Sequence, residues 1–383
     1  MKHQHGFSLV ELMIAITLSL LLSGAAISAF LTVRKVNDTT SGVANLADSG
    51  RFAFEQLGSA VRSAGYLACS ASTDARSDLS AGLPVLVSDV GEPLGGYEYI
   101  GTGASGAFAL APPYAQASAN SKWAASPTLG GNLDALIYAA SVSGGTVGKP
   151  ISGSDVLVTH ETPVGTPALY LTATASVGTS TLATTLSSAV NSGFASIIAA
   201  GKTPLTVVSN CQSAEVFALG NISGGTQISL STSNATQHLV TAYGAGSHVA
   251  LIDTRVFYVG VGSDGEGALF VFDTNSSTSF SAPVELVPDV ENMQVLYGID
   301  TTGAKAVTEY VTADKVATLG ITGDFNSVID VKLSLLLVGP LGSAVAPSSV
   351  PSFSLLGTAV TAPIDSKLRA VFTTTFTLRN NAG

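Results

Sequence analysis

Between Leu12 and Val33 the chain carries no charged residue for 22 positions, LMIAITLSLLLSGAAISAFLTV. As an α-helix rising about 1.5 Å per residue, that run measures roughly 33 Å, enough to cross a hydrocarbon core of about 30 Å. A cleaved secretory signal would be shorter and would end in small residues, whereas Arg34-Lys35 follow here. A helix of this length in a soluble core would keep one polar face. The run reads as a single membrane span, and the rest of the chain must fold while tethered to it.

Glu11 stands immediately before this run, preceded only by Lys2 and two histidines among titratable side chains. A carboxylate at the centre of a membrane helix costs about 2.5–3.5 kcal/mol on insertion scales, so an intramembrane glutamate is a functional-site candidate. On position alone the alternative is equally open: Glu11 lies at the interface and reaches the headgroups.

Gly6 precedes Phe7-Ser8-Leu9-Val10-Glu11-Leu12, with a short basic leader before it and an apolar helix after it. This arrangement resembles the class III signal of type IV prepilins. The resemblance implies a leader of residues 1–6, cut between Gly6 and Phe7 by an inner-membrane prepilin peptidase that then methylates the Phe7 amine. It also implies that the span, residues 7–33, stays on the mature chain as the assembly helix, with Glu11 taking part in assembly. The leader would be cytoplasmic and the bulk periplasmic, before transfer to the pilus and cell surface. Positive charge leaves orientation undecided, since Lys2 lies on one side and Arg34-Lys35 on the other.

With 383 residues there is room for one large domain or two smaller ones. Charged residues are 11% of the chain, against about 25% in ordinary soluble domains. The net charge of −10 argues against a broad electrostatic grip on nucleic acid, which needs phosphate-neutralising Lys and Arg. The two cysteines, Cys69 and Cys211, read as one disulfide in an exported protein, with two separate buried thiols as the alternative. No C-x-x-C points to zinc or thioredoxin-type chemistry.

After the span, Asn37-Asp38-Thr39-Thr40-Ser41-Gly42 is rich in cappers and breakers, so the helix either continues or hinges there. Leu46, Gly50, Phe54, Leu57, Val61 and Ala64 then recur at spacings of three and four, one face of an amphipathic helix that Gly65 ends. Residues 34–65 are expected to form a stalk and this helix. Residues 66–383 are expected to form a β-rich globular domain with long loops, chiefly between Asp74 and Pro150. Ile329, Val331, Leu333, Leu335 and Leu337 alternate with Asp330, Lys332 and Ser334, the period of a half-buried strand. The segment from Leu368 to Leu378 repeats that period. Arg255–Tyr258 and Ala268–Phe272 flank Asp264-Gly265 as a hairpin. The fold class is α+β: a long N-terminal helix packed on a large, mostly antiparallel sheet domain.

Gly50-Arg51-Phe52-Ala53, Arg62, Ala64-Gly65-Tyr66 and Cys69 look like the helix end of PilW-type minor pilins. Gly153-Ser154-Asp155-Val156-Leu157, Ser209-Asn210-Cys211, Leu286 to Asp300, Leu368 to Phe372 and Leu378-Arg379-Asn380 extend the resemblance to the C-terminus. It implies a minor pilin that takes part in initiating a type IV pilus at its tip. The partners it implies are other minor pilins, the major pilin, the prepilin peptidase and the inner membrane, and a large tip adhesin is compatible with it. The alternatives are a J-type pseudopilin of type II secretion, with the same N-terminus, and a membrane-anchored secreted enzyme.

Little in the sequence favours chemistry. Gly101-Thr102-Gly103-Ala104-Ser105-Gly106 and Gly260-Val261-Gly262-Ser263-Asp264-Gly265 match G-x-G-x-x-G by letters, but neither is placed to open a helix that would bind a pyrophosphate. There is no G-x-S-x-G and no H-E-x-x-H. Asp264, Glu266 and Asp273 near a glycine-rich turn fit a solvated hairpin tip better than a calcium loop. The expectation is a non-enzyme with no catalytic, cofactor or metal residues.

Overall fold

The computed structural model describes residues 8–67, 69, 75–77, 79, 91–103, 105–111, 114, 123–125, 146–162, 169–185, 204–223, 226–232, 234–274 and 281–380. It opens with helix α1 (Leu9–Ser63), 55 residues without a break. By length and composition its first part can cross a membrane. The helix runs through Asn37–Gly42 because the hydroxyls that could have competed with it bond backwards instead. Thr39 and Thr40 donate to the carbonyls of Lys35 and Val36 at 2.9 and 2.8 Å. Thr17, Ser19, Ser28 and Thr32 do the same inside the apolar part, so these four hydroxyls ask lipid for no partner.

Along the chain follow strands β1 (Ala75–Ser77), β2 (Leu94–Tyr99), β3 (Ala107–Ala109), β4 (Trp123–Ala125), β5 (Val156–Glu161), β6 (Leu169–Tyr170), β7 (Thr181–Ala183), β8 (Leu205–Ser209), β9 (Ala214–Ser223), β10 (Gln227–Leu230), β11 (His248–Val261), β12 (Gly267–Thr274), β13 (Val284–Pro288), β14 (Val290–Ile299) and β15 (Glu309–Val311), then helix α2 (Ala313–Leu319), then β16 (Val328–Leu341), β17 (Ser352–Leu355), β18 (Thr358–Thr361) and β19 (Lys367–Thr377). Among the described residues only the β1–β9 and β18–β3 pairs are parallel. The rest of the pairing is antiparallel, and the fold is α+β.

One sheet has the order β15-β14-β16-β19. A larger sheet is threaded on β11, whose first residues pair with β8 while its later ones pair with β5 on one edge and β12 on the other. The β11–β12 hairpin closes on Asp264-Gly265, with the Gly262 amide donating to the Glu266 carbonyl at 2.7 Å. The principal core lies between α1, the four-stranded sheet and β2, β5, β11 and β12. Two smaller cores cover the region of β8 and β9.

Of the long connections expected between Asp74 and Pro150, the described parts hold β1 to β4. Residues 126–145 lie outside the described residues, as do 186–203 of the Ala/Thr/Ser-rich stretch.

Candidate functional site

Ser8 caps α1, its Oγ accepting from the Val10 amide at 3.4 Å, while the Ser8 amide donates to Glu11 Oε2 at 3.2 Å. Together these form a capping box, which satisfies two of the amides that a helix start leaves bare. Glu11 is thus held at the positive end of the helix dipole, where a carboxylate is stabilised. Gly6 and Phe7 lie outside the described residues. From Leu9 to Val33 every side chain is exposed; Leu20, Leu21 and Leu22 are 67, 71 and 70% accessible. Among the described residues, nothing covers this surface.

Further along, the helix is seated. Leu46, Ala53, Leu57, Ala60, Val61 and Ala64 are buried, and Phe54 packs against the same core. Three glycines set the approach. A Cβ on Gly42 would stand 3.0 Å from that of Ser343, one on Gly50 would stand 3.3 Å from the Phe372 ring, and one on Gly58 would fall 2.4 Å from Phe376. These contacts place α1 along β19 in the same direction and against β16 in the opposite one. Of these glycines, Gly50 belongs to the apolar stripe legible in the sequence, Gly42 reads there only as a helix breaker and Gly58 carries no local sign; the spacing of eight that links all three is the available signal.

The helix end is tied down locally. Gly65 takes φ +72°, which a side chain disfavours, and its amide donates to the His160 carbonyl at 2.9 Å. Asn380 Nδ2 donates to the Ala64 carbonyl at 2.9 Å, and the Ser63 hydroxyl donates to Glu161. Just beyond, Cys69 is disulfide-bonded to Cys211 in the β8–β9 turn, with Cα atoms 4.7 Å apart. The bridge fixes the segment leaving the helix to the larger sheet.

Two buried polar groups were not legible as sites. Arg369, on β19, donates to both oxygens of Glu291 at 2.7 and 2.9 Å and to both of Asp365 at 2.8 and 2.9 Å. Arg369 holds the Asp365 carboxyl below its ordinary range. Tyr114 adds a hydroxyl to Glu291 at 2.6 Å, completing a network that ties β19 to β14 across the intervening β16. Asp155 accepts the Tyr99 and Val295 amides at 3.0 and 2.9 Å, linking β2 to β14. It lies against Glu98, and burial keeps a proton on this carboxyl pair far above the usual range. Both arrangements join strands.

The remaining candidates stay apart. Gly101–Gly106 is a loop between β2 and β3, and Gly260–Gly265 is the β11–β12 hairpin. His160 is fully buried on β5, its Nδ1 on Thr254 Oγ1 at 3.0 Å, and burial lowers its pKa to about 4. Among the described residues, no three His, Cys, Asp or Glu side chains are arranged to hold a metal.

A family model described as type IV pilus-assembly protein W matches residues 256–380, which span the hairpin, β14, β16 and β19. A second, the prokaryotic N-terminal methylation motif, matches residues 1–27. No curated protein matches the chain. A solved type IV-like pilin from Thermus thermophilus aligns at 18% identity over 50% of this chain and 95% of its own, with a TM-score of 0.21. The chain thus resembles type IV prepilins at its N-terminus and type IV pilus-assembly protein W over its last third, and β16 and β19, the strands that seat the apolar helix, lie inside the second match.

Proposed function

We propose that this protein is a minor pilin that helps to start a type IV pilus and stays at its tip. The observation that carries the reading is one unbroken helix that starts within the methylation motif and packs against strands of the PilW-like segment. The prepilin peptidase cuts between Gly6 and Phe7 and methylates the Phe7 amine, leaving 377 residues anchored in the inner membrane with the head outside. Other minor pilins, and then the major pilin, cover the apolar surface from Leu9 to Val33 that the described residues of its own chain leave bare. On release from the bilayer, that surface needs another apolar solvent. Glu11 pairs there with the freed amine of a Phe7, because a charge inside lipid is costly unless paired. The head is too large to repeat at every step of a close-packed fibre, which favours one copy at an end.

The test is stoichiometric. Quantitative mass spectrometry of sheared pili is expected to find this chain at a small fraction of the major subunit, and deletion of its gene to remove surface pili while the major subunit accumulates in the membrane. Near-equal amounts would sink the tip reading. N-terminal sequencing is expected to begin at a methylated Phe7, and Gly6→Val to leave the precursor uncut. Glu11→Ala is expected to be cleaved normally but to enter pili poorly.

A further inference from the structure

Packing sets the height of the head on α1. With β19 running alongside the helix and β16 against it, Gly42 meets Ser343 at one end and Gly58 meets Phe376 at the other. The end nearest the span consists of two loops, residues 342–351 after β16 and residues 362–366 before β19. Hydrogen bonds lace them together. The Gly342 and Ala344 amides donate to the Ser366 carbonyl at 3.1 and 3.0 Å, and the Ala362 amide donates to the Pro351 carbonyl at 3.0 Å. Here Leu341, Val345, Val350 and Ile364 stand 74, 68, 59 and 55% accessible, and none of the described residues covers them.

Single apolar residues on a surface need no explanation, but several gathered on one end of a domain do. The chain carries no charged residue from Leu333 to Ile364. The first charges beyond are committed, Asp365 to Arg369 at 2.8 Å and Lys367 to Glu266 at 2.6 Å. The opposite end of the same sheet has the composition of a wet surface, with Asp300, Lys305, Glu309, Asp314, Lys315 and Asp324 on the segments between β14 and β16.

Height decides what the apolar end faces. Leu341 pairs with Lys367, next to the Leu368 whose amide donates to Ser343 Oγ, so it lies roughly level with Thr40. Thr40 is seven residues past Val33, about 10 Å along the helix. The polar layer of a bilayer adds about 5–7 Å beyond the hydrocarbon. A spanning helix tilts by about 20° on average, and tilt towards the head lowers a loop about 10 Å to its side by about 3 Å. The loops then stand about 7 Å above the hydrocarbon, in the headgroup layer, beside the exposed cations Arg34 and Lys35.

We propose that these two loops rest in the headgroup layer of the bilayer that α1 crosses, with Leu341, Val345, Val350 and Ile364 against lipid. The partner is a lipid surface because the span delivers the loops to one on the same chain and at the matching height. They also bring no unpaired charge that contact would strip of water. The membrane-bound chain thus stands on two supports, the helix and the near end of the head. The proposal rests on the reading of α1 as a membrane span and on no other part of the function above.

The experiment reconstitutes three single variants of the full chain, Leu341→Trp, Phe30→Trp and Ile321→Trp, in phosphatidylcholine nanodiscs. The native Trp123, buried in the head, is their common background, and Ile321 is an exposed apolar control at the charged end. One quencher is a phosphatidylcholine brominated on its acyl chains, a second carries a nitroxide on its headgroup, and iodide reports access from water. Leu341→Trp is expected to lose about half of its added fluorescence to the headgroup nitroxide and to be about threefold less open to iodide than Ile321→Trp. The nitroxide should leave Ile321→Trp unchanged. Phe30→Trp is expected to be quenched by the brominated chains; if it is not, the span reading falls and this proposal falls with it. With Phe30→Trp quenched, a Leu341→Trp signal untouched by the nitroxide, or as open to iodide as Ile321→Trp, overturns the proposal alone. Shielding from iodide without quenching by either lipid would mean that a protein surface covers the loops, which overturns it too. Val345→Trp repeats the measurement should Leu341→Trp fail to fold.

Discussion

From Leu9 to Val33, α1 is apolar on nearly every side and is covered by none of the described residues, while from Gly42 to Ala64 the same helix buries one stripe and exposes the rest. Backbone hydrogen bonds run through both halves, so secondary structure does not distinguish them. What differs is the solvent each half is written for. In the first half, burying each leucine in lipid or in a helix bundle is worth about 1.5–3 kcal/mol, and no sheet supplies that burial. In the second, glycines bring the helix backbone onto Phe372 and Phe376, and the stability belongs to the head. One half is an unfilled interface and the other a finished one. Damage to the second should register in head stability, and damage to the first only in assembly.

The largest expected effect comes from the bridge where the seated half leaves the helix. Reducing Cys69–Cys211 frees a closure of 142 positions. By chain entropy that lowers head stability by about 4–5 kcal/mol, and often by somewhat less in practice. Denaturant titration of the detergent-solubilised chain with and without reductant measures it. Amide exchange in residues 12–33 should not change, and a change there would mean that the halves are coupled.

Next comes a matched pair of glycines. Gly58→Val pushes a side chain into the Phe376 ring and should cost about 3 kcal/mol in the same titration. Gly24→Val meets no atom within 4 Å and should leave the head unchanged. Equal losses would break the comparison.

Acidity acts on the head alone in a third test. The Glu98–Asp155 pair and Asp253 hold protons that the unfolded chain gives up near its ordinary carboxylate range. The folded state therefore binds more protons than the unfolded one above about pH 4, and stability falls as pH rises towards the folded values. His160 has the opposite sign, lowered to about 4, and its contribution is lost as pH falls below about 6.5. Above pH 6.5 only the carboxyls act. Thermal melts from pH 6.5 to 9 should decline, by at most about 1.4 kcal/mol per pH unit for each proton. Glu98→Gln should flatten the slope.

Legibility followed locality. The apolar run, the Leu46–Ala64 stripe, the β11–β12 hairpin and the period of β16 and β19 each declare themselves within about two dozen residues, and the structure has an exposed apolar helix, the seated stripe, the hairpin and both strands. Two cysteines allow only one pairing. Unbroken passage through Asn37–Gly42 was undecidable, because Thr39 and Thr40 can cap or bond backwards and only the folded chain shows which. The strands before Cys211 are mostly two to six residues long and set among glycines, too short for a period to emerge. Arg369 meets Glu291 across 78 positions, and Asp155 meets Val295 across 140, by topology rather than pattern. Gly6 and Phe7 remain where the motif put them, as a proposal.

The smallest expected effect returns to the free half, at its first turn. Ser8→Ala removes the oxygen that accepts the Val10 amide and leaves the Ser8–Glu11 arm of the capping box in place. Losing such a cap costs a helix about 1 kcal/mol, or roughly a fivefold shift in the fraying equilibrium of its first turn. Hydrogen exchange at residues 9–12 in nanodiscs should quicken by about that factor, with no change beyond residue 16 and none in head melting. The size matters for Glu11. If its carboxylate serves chiefly as the cap seen here, Ser8→Ala and Glu11→Ala should fray the turn equally and impair piliation equally. If Glu11 leaves the cap to meet another subunit's Phe7 amine, Glu11→Ala should cost far more in assembly than its small effect on fraying accounts for.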